Sequence, residues 1–522
     1  MLVCSLERRI AALLALALLA VGVAAAPPAE REVIAGLNTP RLIYGHPYEL
    51  AGRRVVFTNW HYIQPGDLDW RNAEGKSVYV VGDEGLFGAQ HVGINAPQGI
   101  RIQAQKPQVM GPIGLPGRTI LQDGGKYKGW TSTDYFESAD GVHWEKKSPL
   151  AFEGPNEDGV FHVFIDPSGP PEERFKSVWV GHITRAEFDV FRQQRPDGWE
   201  PRALLLLGEK DEVTCLRGSV SPDGISWKTL PEPLVAEYCD TYNTCYYDAA
   251  LRKYVIYTRY WSLGPRTDKL PPDIRGCWTG VGRRAIGRTE SSDFRQFPPS
   301  QMILEPTPDM LPSEVLYTNC RTTIPGAPDQ HLMFPAIWNG SVDDTTRIGL
   351  ASSHDGIVWH WVPGGDLLRT QPFGQWNGGC IWVNPELIEL PDGTWALPYV
   401  GHNVPHKYPR GQRQGGEGYA VWPKGRLAAV KAEGHGEFTM IPLLPPGRTL
   451  KVNALTQRTG WVKVGVQGID GRALADCTPI IGDQHWTAIS WKGGTDLGVN
   501  DGQPVTLKIE LYQAELYGLQ FD

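Results

Sequence analysis

Ser138-Ala-Asp140-Gly141-Val-His-Trp144 returns as Ser221-Pro-Asp223-Gly224-Ile-Ser-Trp227 and again as Ser353-His-Asp355-Gly356-Ile-Val-Trp359. A degenerate copy, Ser291-Ser-Asp293-Phe-Arg-Gln-Phe297, keeps the Ser, the Asp and a closing aromatic. The box S-x-D-G-x-x-W describes a turn. Its Asp carboxylate accepts backbone N–H groups across a hairpin, its Gly supplies a positive φ, and its aromatic folds back onto the core. These Asp residues are therefore structural. What the box reports is a unit of roughly 60–80 residues, repeated along the chain.

Each copy follows a short β-like run, and each is followed by a strand, a loop tip and a second strand. The pairs are Val160–Asp166 with Phe175–Val180, Thr244–Asp248 with Lys253–Thr258, Arg321–Ile324 with His331–Phe334, and Ile381–Val383 with Trp395–Tyr399. A further hairpin, Arg118–Gln122 with Lys126–Thr131, precedes the first box. Radial repetition of such units predicts an all-β fold, a five-bladed β-propeller over residues 36–430. From Phe438 the texture changes. Runs at Leu450–Leu455, Trp461–Gly468, Thr487–Trp491, Val505–Leu511 and Leu516–Phe521 predict a small antiparallel β-sandwich over residues 438–522.

Composition agrees with many short strands. The 522 residues include 60 Gly, 43 Pro and 19 Trp, and exposed Trp suits stacking on the C–H faces of sugar rings. The formal net charge of −8 excludes a basic field of the kind nucleic acid requires, while a local basic pocket for an anionic polysaccharide is still allowed. At the N-terminus Arg8-Arg9, the apolar run from Ile10 to Val23, and Ala24-Ala25-Ala26 before Pro27 predict a signal peptide over residues 1–26. A secreted or periplasmic protein follows, without a stable membrane span once the signal is cleaved, and a monomer is expected. Seven Cys remain after Cys4 leaves, an odd number; none stands in a CxxC pair, and they are read as structural. No metal-ligand spacing is present and no cofactor is expected, with a structural ion on the propeller axis left open.

Cleavage of a glycosidic bond generally needs two carboxyl groups flanking it. In a propeller they project from the ends of inner strands, so the residues just before those strands are the candidates. Asp158 precedes the second inner strand, Asp240 the third and Glu314 the fourth; these are the expected catalytic acids. Around them His162, Asn243, Arg259, Arg321, Trp376, Asn377 and His402 are the candidate sugar-binding groups, Asn and Arg for vicinal hydroxyls and Trp for stacking.

Glu157-Asp158, Asp240-Thr-Tyr-Asn243, Gly287-Arg-Thr-Glu-Ser291 and the boxes together resemble the five-bladed propeller glycoside hydrolases, family 32-like and family 43-like. The tail, with Asp476-Cys477, Gly482-Asp483, Trp491, Asp496-Leu497 and Leu516-Tyr517, is similar to that of secreted bacterial proteins of this kind. The resemblance covers Gly36 to Asp522. It implies one acid on each of three blades, Asp158 as the stabilising carboxylate of the second and Asp240 as the acid of the third. The Asn-Asp-Pro-Asn, Arg-Asp-Pro and Glu-Cys elements of family 32 are absent, and Thr58–Tyr62 and Gly66–Asp69 compare only loosely with the first. A non-catalytic carbohydrate-binding propeller, and more remotely a sialidase, are the alternatives.

Overall fold

The three full boxes fold into one and the same turn. In the first, Asp140 Oδ1 accepts from the backbone N–H groups of Val142 and His143 at 2.8 Å and from Ser138 Oγ at 3.0 Å. Gly141 N donates to Ser138 Oγ at 2.9 Å, and Trp144 Nε1 donates back to Gly141 O at 3.1 Å. Asp223 and Asp355 repeat the same bonds. The box glycines hold φ of +77°, +80° and +69°, a region that costs Gly nothing and β-carbon residues more.

A computed structural model describes residues 46–78, 88–154, 156, 159, 161–204, 211–261 and 283–522. The predicted signal peptide, Glu157, Asp158 and Cys277 lie outside the described residues. The rest is mostly β, arranged as successive antiparallel sheets. The first runs Thr119–Asp123, Lys126–Trp130, Asp134–Ser138, Glu145–Pro149 in chain order. The second runs His162–Ile165, Phe175–Thr184, Glu212–Ser221, Ser226–Thr229, with Ala151–Glu153 added in parallel at its rim. The third runs Thr244–Asp248, Lys253–Trp261, Arg284–Ser291, Gln301–Leu304.

The next four strands each break at one level. Glu314–Thr318 pairs with Ala336–Asn339 and Arg321–Ile324 with Ala327–Met333, so the register continues across the break from Thr318↔Ala336 to Arg321↔Met333. This fourth sheet is thus bent through its middle. The fifth holds Cys380–Val383, Trp395–His402 and Gly415–Trp422, and its outer strand is Gln108–Met110, which stands before the first sheet in sequence.

The carbonyls of the three full boxes each bond to an aromatic of another sheet. Trp130 of the first sheet donates to Gly224 O of the second at 2.7 Å, and Tyr257 of the third donates to Gly356 O of the fourth at 2.6 Å. Tyr419 of the fifth donates to Gly141 O of the first at 2.7 Å. Trp227 packs with Trp130, Tyr135 and Phe175 between the first and second sheets.

Beyond residue 427 a last sheet is built on two long strands, Leu450–Val466 and Leu507–Phe521, each reading in the sequence as two. Polar Gln457-Arg-Thr-Gly460 resembles a turn but lies at a register shift between Thr456 and Trp461, so pairing resumes on the same partner. Ala428–Thr439 joins this sheet, and so do Arg101–Ala104 and Arg54–Val55 from the N-terminal part of the chain. One α-helix stands among the described residues, Arg185–Gln194, started by a capping box between Thr184 and Glu187. No described helix is long and apolar enough to cross a membrane. The six described cysteines are buried.

Candidate functional site

In each sheet the third strand runs parallel to the first, so the box turns stand at the ends where first strands finish. Residues preceding the first strands stand at the opposite end. There the loops of four sheets touch. Tyr242 OH donates to Arg118 O at 2.7 Å, its ring lies 4.4 Å from Phe161, and the Arg118 guanidinium covers Phe161 at 4.2 Å. Asn319 Nδ2 donates to Tyr242 O at 3.0 Å, while Asn319 Oδ1 accepts from Thr244 Oγ1 at 2.8 Å. Asn243 Nδ2 is spent inside its own loop, on the carbonyls of Cys239 and Thr241.

Asp240 is ion-paired with Arg259 Nη1. The Arg259 side chain is fully buried, whereas the Asp240 side chain is 36% exposed. The guanidinium lies 3.7 Å over Tyr238 and 5.2 Å from Trp261, whose rings stack on each other at 6.1 Å. Arg284 stands 5.7 Å from the same Trp261 ring and 3.7 Å over Tyr317. Burial, and next the Arg284 charge, push the Arg259 guanidinium down to about 9. Tyr317 in turn meets Trp338, Trp382 and His406 at 4.9–5.4 Å, and its hydroxyl is 3.0 Å from His406 Nε2. The result is an aromatic wall carrying two buried cations beside one partly exposed carboxylate. Of this group only Asp240 and Arg259 were candidates from the sequence. Tyr238, Trp261, Arg284, Tyr317, Trp338, Trp382 and His406 were not, because their contacts join residues apart in sequence, within the third sheet for Tyr238, Trp261 and Arg284 and between sheets for the rest; the high Trp count was their one trace.

The remaining candidates lie in other settings. Glu314 is held on both oxygens, by Arg347 Nε at 3.1 Å and by Leu311 N at 3.0 Å. Arg321 lies 3.2 Å over Tyr246 with Nη2 2.5 Å from His331 Nδ1, packed between the third and fourth sheets. Trp376, Asn377 and His402 gather on the fifth sheet. Trp376 stacks on Tyr399 at 5.3 Å, and Asn377 Nδ2 donates to Tyr399 OH at 3.0 Å. A Cβ at Gly401 or Gly418 would meet the Trp376 ring at 2.8 and 3.1 Å, so these glycines make room for it. Burial, then Arg413, pushes His402 down to about 4, leaving it neutral near pH 7.

His162 begins the first strand of the second sheet and is buried. Its Nδ1 accepts from Cys245 N at 3.1 Å, and its Nε2 has no hydrogen-bond partner. That Nε2 lies 3.7 Å from Oε1 of Glu386, a residue of the fifth sheet that sequence reasoning passed over because it follows its strand instead of preceding it. Glu386 Oε2 is 3.4 Å from Thr322 Oγ1 of the fourth sheet, and Thr322 Oγ1 also accepts from Leu387 N at 3.1 Å. Glu386 adopts φ of +81°. For a residue with a β-carbon that conformation costs about 1–3 kcal/mol, and such strain clusters where function fixes a side chain. Among the described residues no three His, Cys, Asp or Glu side chains gather as a metal-binding group.

No protein-family profile and no curated protein sequence matches this chain. Solved structures do. A xylan β-1,4-xylosidase from Bacillus halodurans C-125 is similar over 80% of this chain and 99% of its own, at 10% identity and a TM-score of 0.37. A family-32 β-fructofuranosidase from Bombyx mori is similar over 82% of this chain and 94% of its own, at 10% identity and a TM-score of 0.34. A thermostable family-43 glycoside hydrolase is similar over 62% of this chain and 93% of its own, at 14% identity and a TM-score of 0.36.

Proposed function

We propose that this chain is an exported glycoside hydrolase, built as a five-bladed β-propeller with a C-terminal β-sandwich, that cleaves a poly- or oligosaccharide at the end of the propeller where the first strands begin. Two observations support the ring. The fifth sheet takes its outer strand, Gln108–Met110, from ahead of the first. The box of the first sheet is bonded to Tyr419 of the fifth, just as later boxes are bonded to the sheet before them.

The observation that carries the activity is the Asp240–Arg259 pair set in its aromatic wall. A guanidinium in contact with a carboxylate favours its ionised form. Asp240 thereby suits the role of base, nucleophile or stabiliser of a developing oxocarbenium, and not that of proton donor. Within the wall Tyr317 and Trp382 are half-buried and suit stacking on a sugar, while Tyr238, Trp261 and Trp338 are buried behind them as support. Asp158 is the proposed second carboxyl. The reaction needs no cofactor.

Reducing-sugar release from a panel of plant, algal and bacterial polysaccharides tests this, with D240N as the control. Release by the wild type and its loss in D240N is the expected result. The competing reading is a propeller that binds saccharide without cleaving it. It is favoured by Glu314, whose oxygens are both engaged away from any ligand. Retention of the wild type on a polysaccharide gel, with no release from any substrate, would select that reading.

A further inference from the structure

His162 and Thr322 stand on the first strands of the second and fourth sheets and Glu386 in the link between Cys380–Val383 and Ile388–Glu389 of the fifth, and only folding brings them together. Because His162 Nδ1 accepts the Cys245 N–H, the neutral ring carries its proton on Nε2, aimed at Glu386. The 3.7 Å between Nε2 and Oε1 is too wide for a direct hydrogen bond. It is the spacing at which one oxygen, about 2.8 Å from each, completes both groups. A buried N–H otherwise left without an acceptor is costly, which makes that oxygen an expected part of the working protein.

The oxygen must accept from the imidazole and donate to the carboxylate. A sugar hydroxyl does both, as does the water it would displace; a carboxylate or sulfate oxygen has no proton to give, and an ammonium cannot accept. The Glu386 side chain is 30% exposed, so its carboxylate is open to solvent, and Thr322 Oγ1 steadies its other oxygen. The left-handed backbone at Glu386 points the same way. A carboxylate of mere structural value would be better placed on an unstrained residue.

On the glycoside-hydrolase reading above, we propose that His162 and Glu386 together read one ring hydroxyl of the bound sugar, and so decide which sugar the site accepts. Sites that hydrogen-bond a substrate hydroxyl reject the analogue lacking it by large factors. The pair is neither in contact with Asp240 nor part of the aromatic wall around Arg259.

The test measures kcat/KM for polysaccharide cleavage, and melting temperature, in the wild type, E386Q and E386G. Glycine takes the positive φ without strain, so E386G should melt at or above the wild-type temperature while kcat/KM falls by about 100-fold or more. E386Q, which keeps the shape but not the charge, should lose about 10-fold or more. A fall in melting temperature for E386G with kcat/KM kept at wild-type level would overturn the proposal and make Glu386 structural. Loss of wild-type activity in EDTA, restored by calcium, would overturn it in favour of a cation held by the pair. If the wild type cleaves the panel and both variants match it, this proposal falls and the hydrolase reading stands. If the wild type cleaves nothing, both fall.

Discussion

The two ends of the sheets are built on opposite principles. At the box end, Ser138, Asp140 and Gly141 and their repeats satisfy one another, and the carbonyl of each full box is met by an aromatic hydroxyl or indole of another sheet. At the other end two guanidinium groups are buried, Arg259 Nε and Nη2 and His162 Nε2 have no hydrogen-bond partner, and Asp240 reaches solvent. Buried polar groups in folded proteins are normally paired, so these atoms are candidates for completion by a ligand or water, as is His61 Nε2 at the box end. One end ties neighbouring sheets together; the other leaves buried polar atoms beside a partly exposed carboxylate.

The largest effect should come from D240N. Loss of a carboxylate at the reacting centre should cut turnover by about 1,000-fold or more, a barrier increase of about 4 kcal/mol. The same substitution removes the charge partner of buried Arg259. Asp240 is 36% exposed, so the stability cost should be about 1–2 kcal/mol, below the 3–5 kcal/mol typical of a fully buried pair. Turnover measured beside urea unfolding separates the two, and unchanged turnover would remove Asp240 from the site.

W227A is the counterpart at the box end. Trp227 is 2% exposed, and its loss should cost about 3–5 kcal/mol while activity in the cold is retained. A variant as stable as the wild type would break the contrast between the ends.

The box end also holds a pH-sensitive joint. His61 stacks on His354 of the fourth sheet's box, with ring centroids 4.1 Å apart and planes at 10°. Burial, and next the His354 charge, push His61 from 6.5 down to about 4, with Asp355 opposing them. A folded pKa below the unfolded one means the stability is fully present above pH 6.5 and lost as pH falls toward 4. That loss should approach about 3 kcal/mol. Stability measured from pH 7 to 4 should fall less steeply in H61F.

D223A gives the smallest change. It removes the acceptor of the Ile225 and Ser226 N–H groups and should cost about 2 kcal/mol, with turnover unchanged. A loss of turnover would sharpen the comparison differently, by tying the boxes to the site.

Much of the fold was legible in the chain because its decisive interactions are local. Ser, Asp, Gly and Trp of a box lie within seven residues, and their spacing alone prescribes the turn. The strand pairs Thr244–Asp248 with Lys253–Trp261 and Arg321–Ile324 with Ala327–Met333 stand next to each other in sequence, and were found within a few residues. The partners of the last sheet were not legible, since Arg54–Val55 and Arg101–Ala104 join strands over 300 residues away. The site divides the same way. Position before a strand picked out Asp240 and, next to it in space, Arg259. The same rule picked Glu314, whose carboxylate Arg347 and Leu311 claim, and it missed Glu386, which lies past its strand. Local spacing determined which turns and hairpins form. Which carboxylate faces a cation, a backbone N–H or an unpaired imidazole was decided only by tertiary packing, because burial and charge pairing depend on side chains from 19 residues apart, as in Asp240–Arg259, to more than 200, as in His162–Glu386.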